Sequence, residues 1–148
     1  MLRLNDKVTH GLLPLVARLM LTAEFIVAAN GKITGWSGQA AYMTAHGMTM
    51  VTPLLAIALA IESLGSLCLI SGVKARHAAA IMFVYLSIVT VRLHDFWNVA
   101  NPIAAGGTQT QFFKNVGMLG GLLMIAAYGP GRWTLERDPL GNQRPGVA

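Results

Sequence analysis

Four stretches of this chain run for close to twenty residues with almost no charge, each flanked by polar residues, glycine or proline. They cover about 11–29 (GLLPLVARLMLTAEFIVAA), 51–70, 78–97 and 111–128. A hydrocarbon core of about 30 Å requires about 20 predominantly apolar residues in a helix, so each stretch predicts a membrane span. Pro14 and Pro53 fall in the first turns of the first two stretches, where a missing N–H is tolerated. The fourth ends at the breaker Gly129-Pro130-Gly131. The pattern predicts an all-α, integral membrane bundle of four transmembrane helices. Residues 1–133 form its single domain, and 134–148 a polar cytoplasmic tail, rich in Gly and Pro and left undocked.

Composition agrees. The chain has 148 residues, 54% of them hydrophobic and only 11% charged, against about 25% charged in a soluble domain. The net charge of +5 comes from the termini and loops. Arg3, Lys7, Lys74, Arg76, Arg132, Arg137 and Arg144 fall on one side of the predicted membrane, and only Lys32 falls clearly on the other. The positive-inside rule then makes both termini and the 71–77 turn cytoplasmic, with the 30–50 and 95–110 loops facing outward. Basic loops of this kind report topology, which excludes a nucleic-acid surface. Arg3 and Lys7 before an apolar run resemble a signal peptide. Arg18 and Glu24 would interrupt its core, however, and three spans follow, so a retained signal anchor is expected. Trp36, Trp97 and Trp133 lie at predicted interfaces, where amphipathic rings are favoured. The single cysteine, Cys68, allows no internal disulfide and no C-x-x-C site, and reads as a small buried side chain.

Against this background the ionisable groups within or at the edge of the spans stand out: Arg18, Glu24, Glu62, Arg92, Asp95 and Lys114. Such groups are costly in a bilayer and normally face the bundle interior, pair, and mark function. At about 1.5 Å per residue from the cytoplasmic ends, Arg18 and Glu62 lie about 10 and 13 Å deep. Glu24, Arg92 and Lys114 lie roughly 20–23 Å deep, with His94 and Asp95 slightly further out. The inner layer predicts a structural ion pair between Arg18 and Glu62. In the outer layer Glu24 is expected to meet Arg92 or Lys114, and Arg92 and Asp95, three apart, can share a helix face. Glu24, Lys32, Arg92, His94, Asp95, Trp97, Lys114 and Asn115 make up the candidate ligand or proton site, opening outward. No catalytic residue and no metal set is assigned. His46 and His94 are the only outer histidine pair for haem ligation, and no covalently bound cofactor is expected. Gly117-x-x-x-Gly121 predicts close helix packing, as does the stripe Ala58, Glu62 and Ser66.

The chain resembles the DoxX family of small four-helix bacterial membrane proteins from about Arg18 to Arg132. The resemblance rests on Gly31-Lys32, Tyr42-Met43 with His46-Gly47, Glu62, His94-Asp95-Phe96-Trp97, Phe113-Lys114-Asn115 leading into Gly120-Gly121, and Gly129-Pro130-Gly131-Arg132. It implies a multi-pass protein of the bacterial inner membrane. Some members look like small subunits of a thiosulfate:quinone oxidoreductase, and others are linked to complexes that handle oxidative stress. Glu24 stands where much of the family would carry an apolar or small residue.

Three readings follow. In the first, the chain is a redox-associated subunit, not necessarily an enzyme by itself. His94, Asp95 and Lys114 would bind a quinone, Phe96, Trp97 and Phe113 would pack on its ring, and a partner protein would supply the redox centre. In the second, the chain is a non-catalytic carrier or binding protein for a small anionic or lipidic solute, held by Lys32, Arg92 and Lys114. In the third, it is an assembly factor whose charges hold the bundle. The lipid bilayer is a partner in all three, with a homo-oligomer or redox partner protein possible in addition and no nucleic acid.

Overall fold

The computed structural model of the chain describes residues 5–136. A π-helical turn, Val8–Leu12, leads into α1, Leu13–Thr34. A short helix α2, Trp36–Ala45, follows, then α3, Val51–Ser71, and α4, Ala75–Leu93. A single 3-10 turn, Phe96–Asn98, precedes α5, Pro102–Tyr128. The described residues contain no strand.

Three segments are long and apolar enough to cross a membrane: Val8–Thr34, Val51–Ser71 and Ala75–Asn98. In α5, 27 residues long, the apolar stretch from Val116 to Tyr128 is preceded by Thr108, Gln109, Thr110, Gln111, Lys114 and Asn115, which dilute its hydropathy. The helices pack in chain order, α1 on α3, α3 on α4 and α4 on α5, with a thinner seam between α1 and α5. Neighbours run antiparallel. Glu62 meets Tyr85 and Gly65 meets Met82 across α3 and α4, and Arg76 meets Ala126 across α4 and α5. The core lies towards the end that holds the first and last described residues, where Phe25, Leu69, Ala75, Ala79, Met82, Leu86, Leu122 and Ile125 are buried together. At Gly65 an added Cβ would run into the Met82 thioether, so glycine sets the close approach of α3 and α4. Large apolar side chains such as Met20, Val27, Leu64, Leu67 and Ile81 point outward, as a lipid-facing surface requires.

The same end is tied by two arginines that cap helix termini. The last carbonyls of a helix lack intrahelical donors and carry the negative end of its dipole. Arg18 Nη1 donates to the carbonyls of Leu69 and Ile70 at 2.9 and 3.3 Å, and Nη2 to that of Trp133 at 2.5 Å. Arg76 Nη1 does the same for α5, donating to Ala126 and Ala127 at 3.1 and 2.6 Å. Gly72, at φ 79°, ends α3 and leaves the space for the guanidinium: a Cβ there would sit 2.9 Å from Arg18 Nη1. The segment after α5 folds back over this end. Arg132 N–H donates to His10 O at 2.7 Å, Leu135 N–H donates to Ser71 O at 2.9 Å, and the Trp133 ring covers Gly11.

Several expectations change here. The 30–50 loop contains a helix, because α1 continues five residues past the predicted boundary and the chain turns at Gly35 straight into α2. The expected undocked tail begins with three docked residues: Lys74 N–H donates to Glu136 Oε2 at 2.9 Å, and Thr134 Oγ1 donates to the Glu136 carbonyl at 2.6 Å. Residues 137–148, including Arg137 and Arg144, lie outside the described residues. Of the Gly117-x-x-x-Gly121 face, only Gly121 touches α1, at Leu21; Gly117 and Gly120 border open space. The Ala58, Glu62 and Ser66 stripe is buried throughout, as its spacing predicts.

Replacing Arg18 by Met removes the charged donor from three carbonyls and is expected to destabilise the protein by roughly 2–4 kcal/mol. Arg18→Lys, which lacks the planar fork, should recover only part of this. Thermal unfolding of the purified protein in a mild detergent measures both, and an unchanged midpoint in Arg18→Met would contradict the capping role.

Candidate functional site

A cleft of about 980 Å³ opens between α1, α3, α4 and α5, with Gln39, Tyr42 and Met43 of α2 at one end. Its walls are mainly apolar, and its most deeply buried charge is Glu62, 3% exposed. The small neighbours Ala58 and Ser66, one turn either side, let α3 pack closely enough to bury that carboxylate. Lys32, in the last turn of α1, reaches it with Nζ at 2.8 Å from Oε1 and 2.9 Å from Oε2. The Tyr85 hydroxyl of α4 donates to Oε1 at 2.6 Å. One carboxylate thus joins three helices. An ion at this depth carries a desolvation penalty of several kcal/mol, which only good geometry and further hydrogen bonds offset. Glu62 has both.

The predicted Arg18–Glu62 pair does not form. Arg18 aligns with the last turn of α3, and Glu62 lies seven residues further along that helix, about 10 Å away by helical rise. Depths counted from the ends of the apolar runs missed this offset, because the docked 129–136 segment and the Gly72 turn offered Arg18 carbonyls closer at hand. Glu62 belongs to the cleft, and its partner is a lysine whose four-carbon stem reaches inward from the far end of α1.

The outer layer is resolved more simply. Lys114 Nζ lies 3.3 Å from Glu24 Oε1, linking α5 to α1 as expected. Both side chains are close to half exposed in the structure, so the pair gains less than the buried one. Glu24, Lys32, Arg92, His94, Lys114 and Asn115 all line the cleft, with Asn115 itself buried. Asp95 and Trp97 do not. Asp95 accepts from Asn98 Nδ2 at 2.9 Å in the turn after α4, and the more distant Arg92 makes only a smaller, longer-range contribution to its carboxylate. Trp97 joins an aromatic cluster with Phe96, Phe112 and Phe113 that fastens this turn to α5.

Tyr42, Gln39 and Tyr85 are cleft residues that the sequence reading missed. The Tyr42 hydroxyl donates to the Leu93 carbonyl at 2.7 Å, and its ring packs on His46 with centroids 4.3 Å apart, so α2 is pinned to the end of α4. Burial, reinforced by the Asp95 carboxylate, pushes the Tyr42 phenol above its ordinary value. A signal for Tyr85 was present: Glu62 and Tyr85 are symmetrical about the Val73–Lys74 turn, as facing residues of an antiparallel hairpin must be. Among the described residues no cluster of His, Cys, Asp and Glu is arranged to hold a metal.

These features define a helical membrane protein with a buried ion pair set in the wall of a largely apolar cleft. The DoxX family profile matches residues 13–95, which include Glu24, Lys32, Glu62, Tyr85, Arg92 and His94. The chain is 31% identical over 125 residues to the inner membrane protein YphA of Escherichia coli (strain K12), covering 83% of this chain and 87% of that one. It is 31% identical over 123 residues to the inner membrane protein YqjF of the same organism, covering 83% and 88%. The chain belongs to the DoxX family. Its apolar helices and these relatives make it an inner-membrane protein. No solved structure matches it.

Removing one partner of the buried pair strands the other. Lys32→Met or Glu62→Leu alone should therefore cost roughly 3–5 kcal/mol. The double variant should recover most of that loss, since it leaves no uncompensated charge. A double-mutant cycle of unfolding free energies in detergent measures the coupling, and additive losses would contradict the pair.

Proposed function

We propose that the cleft is the head-group site for a quinone-type amphiphile, and that the chain acts as a small redox-linked subunit that binds quinone without a redox centre of its own. The observation that carries this reading is the convergence of Lys32, Glu62 and Tyr85 on one wall of a cleft that is otherwise mostly hydrocarbon. A quinone presents carbonyl acceptors on an apolar ring. Of the three Lys32 N–H groups two go to Glu62, and the third makes only a long 3.5 Å contact with the Ala28 carbonyl, so it can turn to a quinone carbonyl. The Tyr85 hydroxyl, whose one proton is donated to Glu62, holds the carboxylate and with it the ammonium in place. A preorganised donor of this kind binds an acceptor at low entropic cost. Glu24 and Lys114 supply a second polar pair on the same cleft, and His94 lies at its margin.

In this reading α5 is the fourth span. Its 27 residues extend about 40 Å, more than the about 30 Å of a hydrocarbon core, so its largely exposed polar half reaches towards the outer interface while Val116 to Tyr128 stays among the apolar helices. The basic 71–77 turn, by the positive-inside rule, supports cytoplasmic termini and an outward-facing α2-covered end of the cleft. A second reading, binding of an anionic lipidic solute, draws support from Arg92, which lines the cleft and, among the described residues, interacts with a carboxylate only at longer range, that of Asp95.

Titrating the protein in lipid nanodiscs with a benzoquinone, and following binding by quenching of its tryptophan emission, separates the two. Tyr85→Phe removes the hydrogen bond that holds the Glu62–Lys32 pair in place and should weaken quinone binding about tenfold, near the worth of one hydrogen bond. No quinone binding, with anionic amphiphile bound in a manner dependent on Arg92 and Lys114, would favour the second reading and contradict the first.

A further inference from the structure

The cleft is open on its lipid side. Ile57, Ile81, Val84 and Ile88 line it and are each more than half exposed. A second groove of about 310 Å³ runs along the seam between α3 and α4 towards the end with the first and last described residues. Ile61 and Ile81 line both spaces, so the groove adjoins the cleft at these two side chains. Its floor is made by Gly65 and Ala78, small residues that leave depth, and Cys68 lies on its wall. Its only charged or imidazole groups are Lys74 and His77 at the far rim. The two adjoining spaces offer a polar, hydrogen-bonding wall at Lys32, Glu62 and Tyr85 and then an apolar face, Ile61, Gly65 and Cys68 of α3, that ends about 9 Å further along the helix axis than Glu62.

We infer that the occupant is a long-chain amphiphile that enters sideways from the bilayer, with its head at Glu62 and its hydrocarbon chain laid along the α3–α4 seam past Ile61 and Ile81 to Cys68. The inference rests on the head-group reading above and adds to it the substrate class and the route of access. A compact, water-soluble solute would have no use for the seam. A phospholipid seated the other way round, with its phosphate at the rim, meets a poorer site, because the Lys74 ammonium is already 3.5 Å from the Glu136 carboxylate. Chain and wall are both hydrocarbon, so the seam selects by shape and length, with little hydrophobic gain over the surrounding lipid.

Cys68, the single thiol of the chain, reports directly on the seam. The test compares its alkylation by N-ethylmaleimide in the full-length protein with a decyl-substituted benzoquinone and with the methyl counterpart, both at saturation as judged by tryptophan quenching. The decyl compound is expected to slow alkylation at least about fivefold and the methyl compound to leave it unchanged. Leu64→Trp, which fills the groove from an exposed lipid-facing position that does not line the cleft, should abolish the protection while the methyl compound still binds. A bound decyl compound that leaves Cys68 fully reactive would overturn the seam and leave the head-group site standing. Binding of neither quinone would overturn both together. Protection by a single-chain phospholipid that depends on Lys74 and His77, and not on Tyr85, would reverse the orientation and overturn the inference.

Discussion

The rest of the structure depends on one buried carboxylate. Glu62 is the only acid sealed inside the described bundle, and its burial is offset by Lys32 and Tyr85, which donate to it from helices on either side. That arrangement fixes the relative depth of α1, α3 and α4, since a shift of any one helix by a turn would carry its partner about 5.4 Å away. It also fixes the character of the cleft. A carboxylate matched by a lysine and a phenol gives a neutral cluster in which the ammonium keeps one N–H for a carbonyl acceptor within an apolar body.

The two ends of the bundle are built on different physics. At the end bearing the first and last described residues, Arg18 and Arg76 use their guanidinium forks on helix-terminal carbonyls, the described C-terminal segment is stitched to α1 and α3, and the core is tight. At the other end the helices separate around the cleft. α2 bridges them through the Tyr42–Leu93 hydrogen bond, and the Glu24–Lys114 pair ties α1 to α5 with both charges half exposed. A rigid base below an open upper half leaves space for a ligand without loss of the fold.

The fold was largely legible in the sequence, because apolar runs of twenty residues bounded by Pro, Gly and charge admit few structures. Glu24 with Lys114 was legible too, from depth alone, and so were the cleft positions of Lys32, Arg92, His94 and Asn115. Arg18 with Glu62 was not. Helix ends had been placed where hydropathy changes, whereas α1 runs on to Thr34 and puts Lys32 within reach of Glu62. The guanidinium then satisfied backbone carbonyls, partners that leave no mark in a sequence. Tyr85 escaped notice because a phenol in an apolar helix looks like core until its hairpin partner is known.

A density map of the full-length protein in a lipid bilayer tests the central claim, that Glu62, Lys32 and Tyr85 form a paired cluster facing an occupied cleft. The account predicts Lys32 and Tyr85 on the Glu62 carboxylate, with amphiphile density whose polar end lies within hydrogen-bond reach of them. A cleft closed by its helices, or Glu62 paired with Arg18, would contradict it.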